Sequence, residues 1–279
     1  SIALEKNGRP VDLKVVTLQT GPFAPPPFNK QIPARPVASA HDLTGYLEND
    51  RIHVQLHFSS AATPSLSIYA RYAEGWRKAG IISPVATITS AEPGQSPWEE
   101  TFRVEAVRSN STADSATLAL SGGIGLRWRG TVTLTLKKAS GVIEQQVSIA
   151  PLRPMRVFRL SCLQVLGGSG GFGNQVSEPV MEINSDAFAG TVIRNGDMTI
   201  ASLGAKVQAF GTSGNLTAVQ TYRPEQVAFV PLTPAYVSDI EPIQVVPGAI
   251  LTILSRTAIL FPSKSTSDVE KLLVTSVKH

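Results

Sequence analysis

Hydrophobic and polar residues alternate along much of this chain. The clearest run is residues 51–58. Ile52, Val54, Leu56 and Phe58 fall on one side, and Arg51, His53, Gln55 and His57 on the other. Successive side chains of a strand point to opposite faces, so the run predicts a strand with one buried and one wet face. Residues 102–106 repeat the pattern. So do residues 131–136, with Val132, Leu134 and Leu136 inward and Thr131, Thr133 and Thr135 outward. β-Branched valine and threonine suit a pleated surface.

Further strands are expected at 13–18, 66–72, 81–89, 117–120, 142–149, 155–166, 180–183, 191–194, 198–201, 205–210, 217–221, 226–230, 243–246 and 249–259. Asn195-Gly196 lies between two of them and predicts a hairpin across 191–201, because a type I′ turn needs left-handed backbone at both central positions. Helical signal is sparse. Ser267-Asp-Val-Glu270 fits a capping box and predicts a short helix, with a strand-like tail at 272–277 as the alternative.

Many short strands and at most a helix or two make an all-β chain. The expected fold is an antiparallel jelly-roll β-sandwich in two β-domains, 41–152 and 153–279, divided near Pro151-Leu-Arg-Pro154. One jelly roll with long loops is the alternative. Residues 1–40 are expected to form an extended N-terminal arm. Its stretch 21–36 contains Pro25-Pro26-Pro27, and proline locks φ and donates no backbone hydrogen bond. The arm is either a surface linker or a reach over a neighbouring subunit.

Composition narrows the picture. Charged residues are 16% of the chain, against about 25% in an ordinary domain. Hydrophobic residues are 42%, so a core is still available. Low charge favours packing against copies of the same chain. The net charge of +4 comes without a block of like charges, so no basic tail for nucleic acid is expected. The single cysteine, Cys162, excludes an intrachain disulfide and is expected to be a small buried hydrophobe. No run of about 18 apolar residues predicts a membrane span. The opening Ser-Ile-Ala-Leu-Glu-Lys lacks a leader pattern, and the missing initiator methionine fits a processed or trimmed chain.

Candidate chemistry is thin. Gly167-Gly-Ser-Gly-Gly-Phe-Gly173 spells both GxGxxG and GxSxG. The first needs a helix straight after it, and the second a strand–turn–helix with a later Asp and His. Residues 174–179 do not open a helix, and the only later histidine is His279. A plain loop is expected. His53 and His57 would lie about 13 Å apart on a strand, too far to share a zinc ion bound at about 2.0–2.1 Å; they read as a chance polar face. His41 with Asp42 has no nucleophile to serve, and the neighbours Glu99 and Glu100 point to opposite faces. Asn110-Ser-Thr112 and Asn215-Leu-Thr217 match the glycosylation sequon and, without a leader, read as coincidence. No catalytic, cofactor-binding or metal-ligating residue is assigned, and no enzymatic activity is expected. Arginine interleaves with aromatic residues at Tyr69–Tyr72, 76–78 and 127–129, with Arg153, Arg156 and Arg159 forming a looser basic set. Such mixtures grip RNA by charge and stacking, or cover the protein's own rings and sheet edges.

Two places resemble a known family. The segment 44–58, with its Arg51-Ile-His-Val-Gln-Leu56 strand, and Ser96-Pro-Trp98 ahead of the strand at 102–107 are similar to the jelly-roll coat proteins of picorna-like plant viruses, the comovirus and nepovirus group. The likeness spans about residues 40–150. It implies a capsid subunit that self-assembles, with copies of itself and other coat subunits, into an icosahedral virion shell around an RNA genome. Genomic RNA would be a further contact. No family site residue carries over. The alternative is a phage-tail or bacterial surface β-sandwich module that binds a protein or carbohydrate and uses loop aromatics such as Trp76 or Trp98 as a platform.

Overall fold

The computed structural model describes residues 5–6, 9–10, 26–58, 63–162, 165–167, 181–184, 188–195, 197–208, 215–221, 230–238, 241–262 and 264–275. The expected strand at 13–18, most of the glycine loop and the tail beyond 275 lie outside them. The chain forms the expected all-β antiparallel sandwich, built from two curled sheets.

In the first sheet, Val37–His41, Thr44–Glu48, Ile52–Phe58, Pro64–Tyr72 and Gly75–Ile82 pair in chain order. Val165–Gly167 extends its far edge. In the second sheet, Trp98–Ser111, Ser115–Ile124, Trp128–Lys137 and Val142–Pro151 also follow chain order. Leu251–Leu260, Met198–Ala205, Phe188–Asn195 and Met181–Asn184 then continue that sheet. Strands from both sides of Pro151 therefore share one sheet. Ala86–Ala91 pairs with both Trp98–Ser111 and Met155–Cys162, which ties the second sheet to the strands Val230–Val237 and Ile243–Val245.

The alternation read from the sequence sets the core. Ile52, Val54 and Leu56 of the first sheet and Val132, Leu134 and Leu136 of the second are buried in one cluster with Phe102, Leu118 and Trp128. Each such side chain contributes about 1.5–3 kcal/mol on leaving water. A smaller cluster lies on the opposite face of the second sheet, where Val142, Val192, Ala201, Leu203, Ala258 and Leu260 meet Val269 and Leu273 of the one described helix, Thr266–Thr275. This second cover explains why residues 257–260 are buried without alternation.

Local details differ from expectation by a residue or two. The Oγ of Ser265 accepts from the backbone N–H of Asp268 at 3.2 Å and donates to its carboxylate at 2.6 Å. The capping box is thus Ser265-Thr-Ser-Asp268, two residues earlier than Ser267–Glu270. The expected hairpin is present, but Asn195 pairs with Met198. The linking residues are therefore Gly196 and Asp197, of which Gly196 lies outside the described residues. Glycine is required at Gly122, where the ladder skips a residue and a Cβ would lie 1.9 Å from the Arg103 carbonyl oxygen. It is favoured at Gly125 (φ 56°), which turns the chain into the Trp128 strand.

The described part of the proline-rich arm lies on its own chain. Phe28 meets Trp76 edge-on at 6.0 Å, and the Asn29 carbonyl accepts from Arg71 Nη1 at 2.8 Å. Cys162 is fully buried, and burial pushes its thiol well above the ordinary range. Since the thiolate is the reactive form, Cys162 should react with a thiol reagent only on the timescale of unfolding. Rapid stoichiometric modification of the folded protein would contradict this placement.

Candidate functional site

The outer face of the first sheet is where the wet face was expected; Arg51 is exposed and Gln55 and His57 are half-buried, but the centre of the face is dry. His53 is only 4% exposed and Tyr69 1%. The strands explain why. Glu48, His53, Tyr69 and Lys78 stand opposite one another across four strands and form one row. Tyr46, Gln55 and Ser67 form the next row, and His57 with Ser65 begins a third. Arg71 and Trp76 face each other at the opposite end. Alternation places all of these on one face.

A β-bulge completes the arrangement. Ile68 pairs with Gly80 and Tyr69 with Lys78, so Ala79 is an extra residue. Bulges re-aim side chains. Here the bulge puts Trp76 and Lys78 on the outer face beside Arg71 and Tyr69, while Ala79 turns into the core.

The face is aromatic and polar together. His53 stacks on Tyr46 (5.3 Å, 15°), meets Tyr69 edge-on at 6.1 Å and lies 5.5 Å from Trp76. Its Nδ1 is 2.8 Å from Glu48 Oε2. The other Glu48 oxygen is 3.4 Å from Arg71 Nη2, and the Arg71 guanidinium stacks on Trp76 at 4.6 Å. Glu48 thus fixes both a ring and a cation. Buried polar atoms of the face without a hydrogen-bond partner among the described residues include His53 Nε2, Gln55 Oε1, Arg71 Nε and Trp76 Nε1. An unmade bond at a buried polar atom costs about 1–3 kcal/mol, so each such atom calls for a partner, whether water or ligand.

A cavity of about 540 Å³ opens on this face. Tyr46, Gln55, His57, Thr44, His41 and Phe58 line it. Ligand pockets generally span about 300–1,000 Å³. Burial holds the Lys78 ammonium below the ordinary lysine range. It also lowers the His57 imidazole from its usual 6.5, assisted by the charges of Lys78 and His53. His57 therefore binds fewer protons folded than unfolded. Its contribution to stability is present above pH 6.5 and is lost as pH falls from there toward the depressed folded value. The thermal midpoint should fall with acidification in that window, and less steeply in His57→Gln; equal slopes would contradict the placement.

A second groove of about 260 Å³ crosses the outer face of the second sheet beside the helix. Thr133, Thr135, Glu144, Phe188, Leu254 and Arg256 line it. Its charged groups are paired: Glu144 lies 2.9 Å from Lys137 and 3.7 Å from Arg256, and Arg256 also donates to the Leu273 carbonyl.

The sequence assigned no site residue, and the groups it weighed separate clearly. His53 and His57 share a face with the rings of Tyr46, Tyr69 and Trp76. His41 and Asp42 form an exposed pair at 3.1 Å. Glu100 lies 3.6 Å from Arg127, which stacks over Trp98 at 4.5 Å. Arg77 stacks over Tyr72 at 3.9 Å. The interleaved arginines therefore cover the protein's own rings. Trp76 and Trp98 stand on strands, not on loops, and each is covered by a guanidinium. Sequence reasoning missed Tyr46 and Glu48, and weighed Lys78 only as part of the basic–aromatic run 76–78. The one available signal was that Tyr46 and Glu48 alternate with Leu47.

Comparison with known proteins gives solved structures only. No family model matches the chain, and no curated protein matches it. An α-mannosidase from Enterococcus faecalis V583 is similar at 11% identity and a TM-score of 0.48, over 86% of this chain and 32% of that one. A GalM/aldose epimerase homologue from C. elegans is similar at 9% identity and a TM-score of 0.40, over 82% and 99%. A mutarotase-like protein (YeaD) from Salmonella typhimurium is similar at 7% identity and a TM-score of 0.36, over 82% and 97%. The chain thus spans about a third of the mannosidase.

These findings correct four expectations. The structures found are of carbohydrate-active enzymes and their homologues, not of virion components, so the capsid function, the virion location and the RNA-virus character are withdrawn. The expectation of no enzymatic activity is withdrawn with them, because the proteins found include enzymes. With TM-scores below 0.5, these likenesses carry no argument about what this chain binds. That question turns on the first sheet's own groups.

Proposed function

We propose that this chain is a saccharide-binding β-sandwich module whose binding surface is the outer face of the first sheet. The observation that supports it best is the cavity of about 540 Å³ on a face that buries unpartnered polar atoms of His53, Gln55 and Trp76, of which Gln55 lines the cavity itself.

The chemistry follows from what a sugar ring presents. Its C–H groups form an apolar face, and its hydroxyls form a rim of donors and acceptors. Tyr46 lines the cavity with a ring that offers an apolar face and a polar tip. Gln55 supplies a planar amide that accepts and donates, and His57, held toward its neutral form, offers one donor and one acceptor. Few charges intrude, which suits a ligand of many neutral hydroxyls. Glu48 fixes His53 before any ligand arrives, so little ordering cost remains for binding.

The test is calorimetric titration of the protein with a panel of oligosaccharides built on glucose, mannose, galactose and uronic acids. Saturable binding of at least one class is expected. Silence across the whole panel overturns the proposal.

A further inference from the structure

We infer that the same face carries a subsite for an acidic substituent, so that the preferred saccharide bears a carboxylate or sulfate group. This inference rests on the saccharide reading of the face. The subsite is a cavity of about 480 Å³ at the end of the first sheet where Arg71 stands, lined by Phe28, Lys30, Arg51, Arg71, Tyr72 and Phe261 among others.

Charge and burial both argue for an anion. Lys30, Arg51 and Arg71 line the cavity against one carboxylate, Asp50. Asp50 is already occupied: it accepts from the Ala139 backbone N–H at 3.0 Å and lies 3.8 Å from Arg51 Nε. Lys30 has no acidic partner among the described residues. Arg71 is the anchor. Its side chain is only 9% exposed, its Nη1 donates to the Asn29 carbonyl and its Nη2 lies near Glu48. Its guanidinium lies 5.0 Å from the Phe28 ring centroid and 4.6 Å from that of Trp76, two rings set edge-to-face to each other. Its Nε is buried with no hydrogen-bond partner among the described residues. A guanidinium held rigid by two rings, with a donor unspent, is preorganised for an oxyanion.

The walls suit a sugar rather than a bare ion. Phe28, Ile32, Tyr72 and Phe261 give one side an apolar lining, and Tyr72 and Phe261 pack at 4.0 Å. Arg71 touches both this cavity and the Glu48–His53 row, so a ligand lying along the face can bring its acidic group here.

The experiment uses the full chain with three probes at low salt: a uronic-acid oligosaccharide, a neutral glucose oligosaccharide of equal length, and inorganic sulfate. The variants are Arg51→Gln and Lys30→Gln, both at exposed positions where the fold does not depend on the charge. The acidic sugar should bind about tenfold tighter than the neutral one. That advantage should shrink in the double variant, which keeps Arg71, and shrink further as salt is raised; an advantage unchanged in the double variant overturns the inference. Equal affinity for acidic and neutral sugars in the wild type overturns the inference and leaves the saccharide reading standing. Sulfate binding that Arg51→Gln abolishes, with no sugar bound, overturns the saccharide reading and retains an anion site. Failure of both sulfate and the acidic sugar to bind overturns the inference outright.

Discussion

Replacing Trp128 with alanine should destabilise the protein by about 3–5 kcal/mol, the range for removing a large aromatic side chain from a packed core. Trp128 is 0% exposed and is the largest fully buried side chain among the described residues. Its indole Nε1 donates to Ser90 Oγ at 3.2 Å, and Ser90 is equally buried. The substitution therefore opens a cavity and strands a hydroxyl, which adds about 1–3 kcal/mol. Native stability is only about 5–15 kcal/mol, so the variant should be near the edge of folding. Trp128→Phe keeps most of the volume and loses only the hydrogen bond, so it should cost less. Urea titrations followed by circular dichroism measure both. A loss under about 1 kcal/mol for the alanine variant would contradict the core described here.

Tyr46→Ala should weaken saccharide binding at least tenfold, about 1.4 kcal/mol, while leaving the thermal midpoint nearly unchanged. Tyr46 is half-buried, stacks on His53 and lines the larger cavity. Removing its ring takes away the apolar platform and admits water to the imidazole that Glu48 orients. Tyr46→Phe keeps the ring and should retain most of the affinity. Gln55→Ala should behave like Tyr46→Ala, because Gln55 offers the amide that a hydroxyl rim would use. Unchanged affinity in both alanine variants would place the sugar elsewhere on the molecule.

The strands were legible because alternation is a property of local sequence. Ile52, Val54 and Leu56 faced inward as their spacing required, and so did Val132, Leu134 and Leu136. The hairpin at Asn195 and the helix near Ser265 were legible as existing features, with boundaries off by one or two residues. The site was much less legible. Period two places His53, Gln55 and His57 on one face, but it cannot say that Tyr46, Tyr69 and Trp76 arrive there from three other strands. That depends on pairing register, and the Ala79 bulge shifts the register halfway along a strand without a sequence mark. The same blindness made the polar face look wet. Nothing local reveals that Phe28, more than forty residues before Trp76 in the chain, folds back onto it. The capsid expectation grew from a short amphipathic strand and a Ser-Pro-Trp turn, both of which many β-sandwiches can supply.

The central claim is that His53 and its neighbours contact sugar. The direct measurement is a long-range proton–nitrogen NMR spectrum of the histidine side chains, recorded while the tightest sugar of the panel is titrated in. The His53 Nε2 and His57 ring resonances should shift saturably, with the dissociation constant found by calorimetry, and His41 should move less, since it stands at the cavity's rim and is mostly exposed. Binding by calorimetry with His53 and His57 both unmoved would contradict the account.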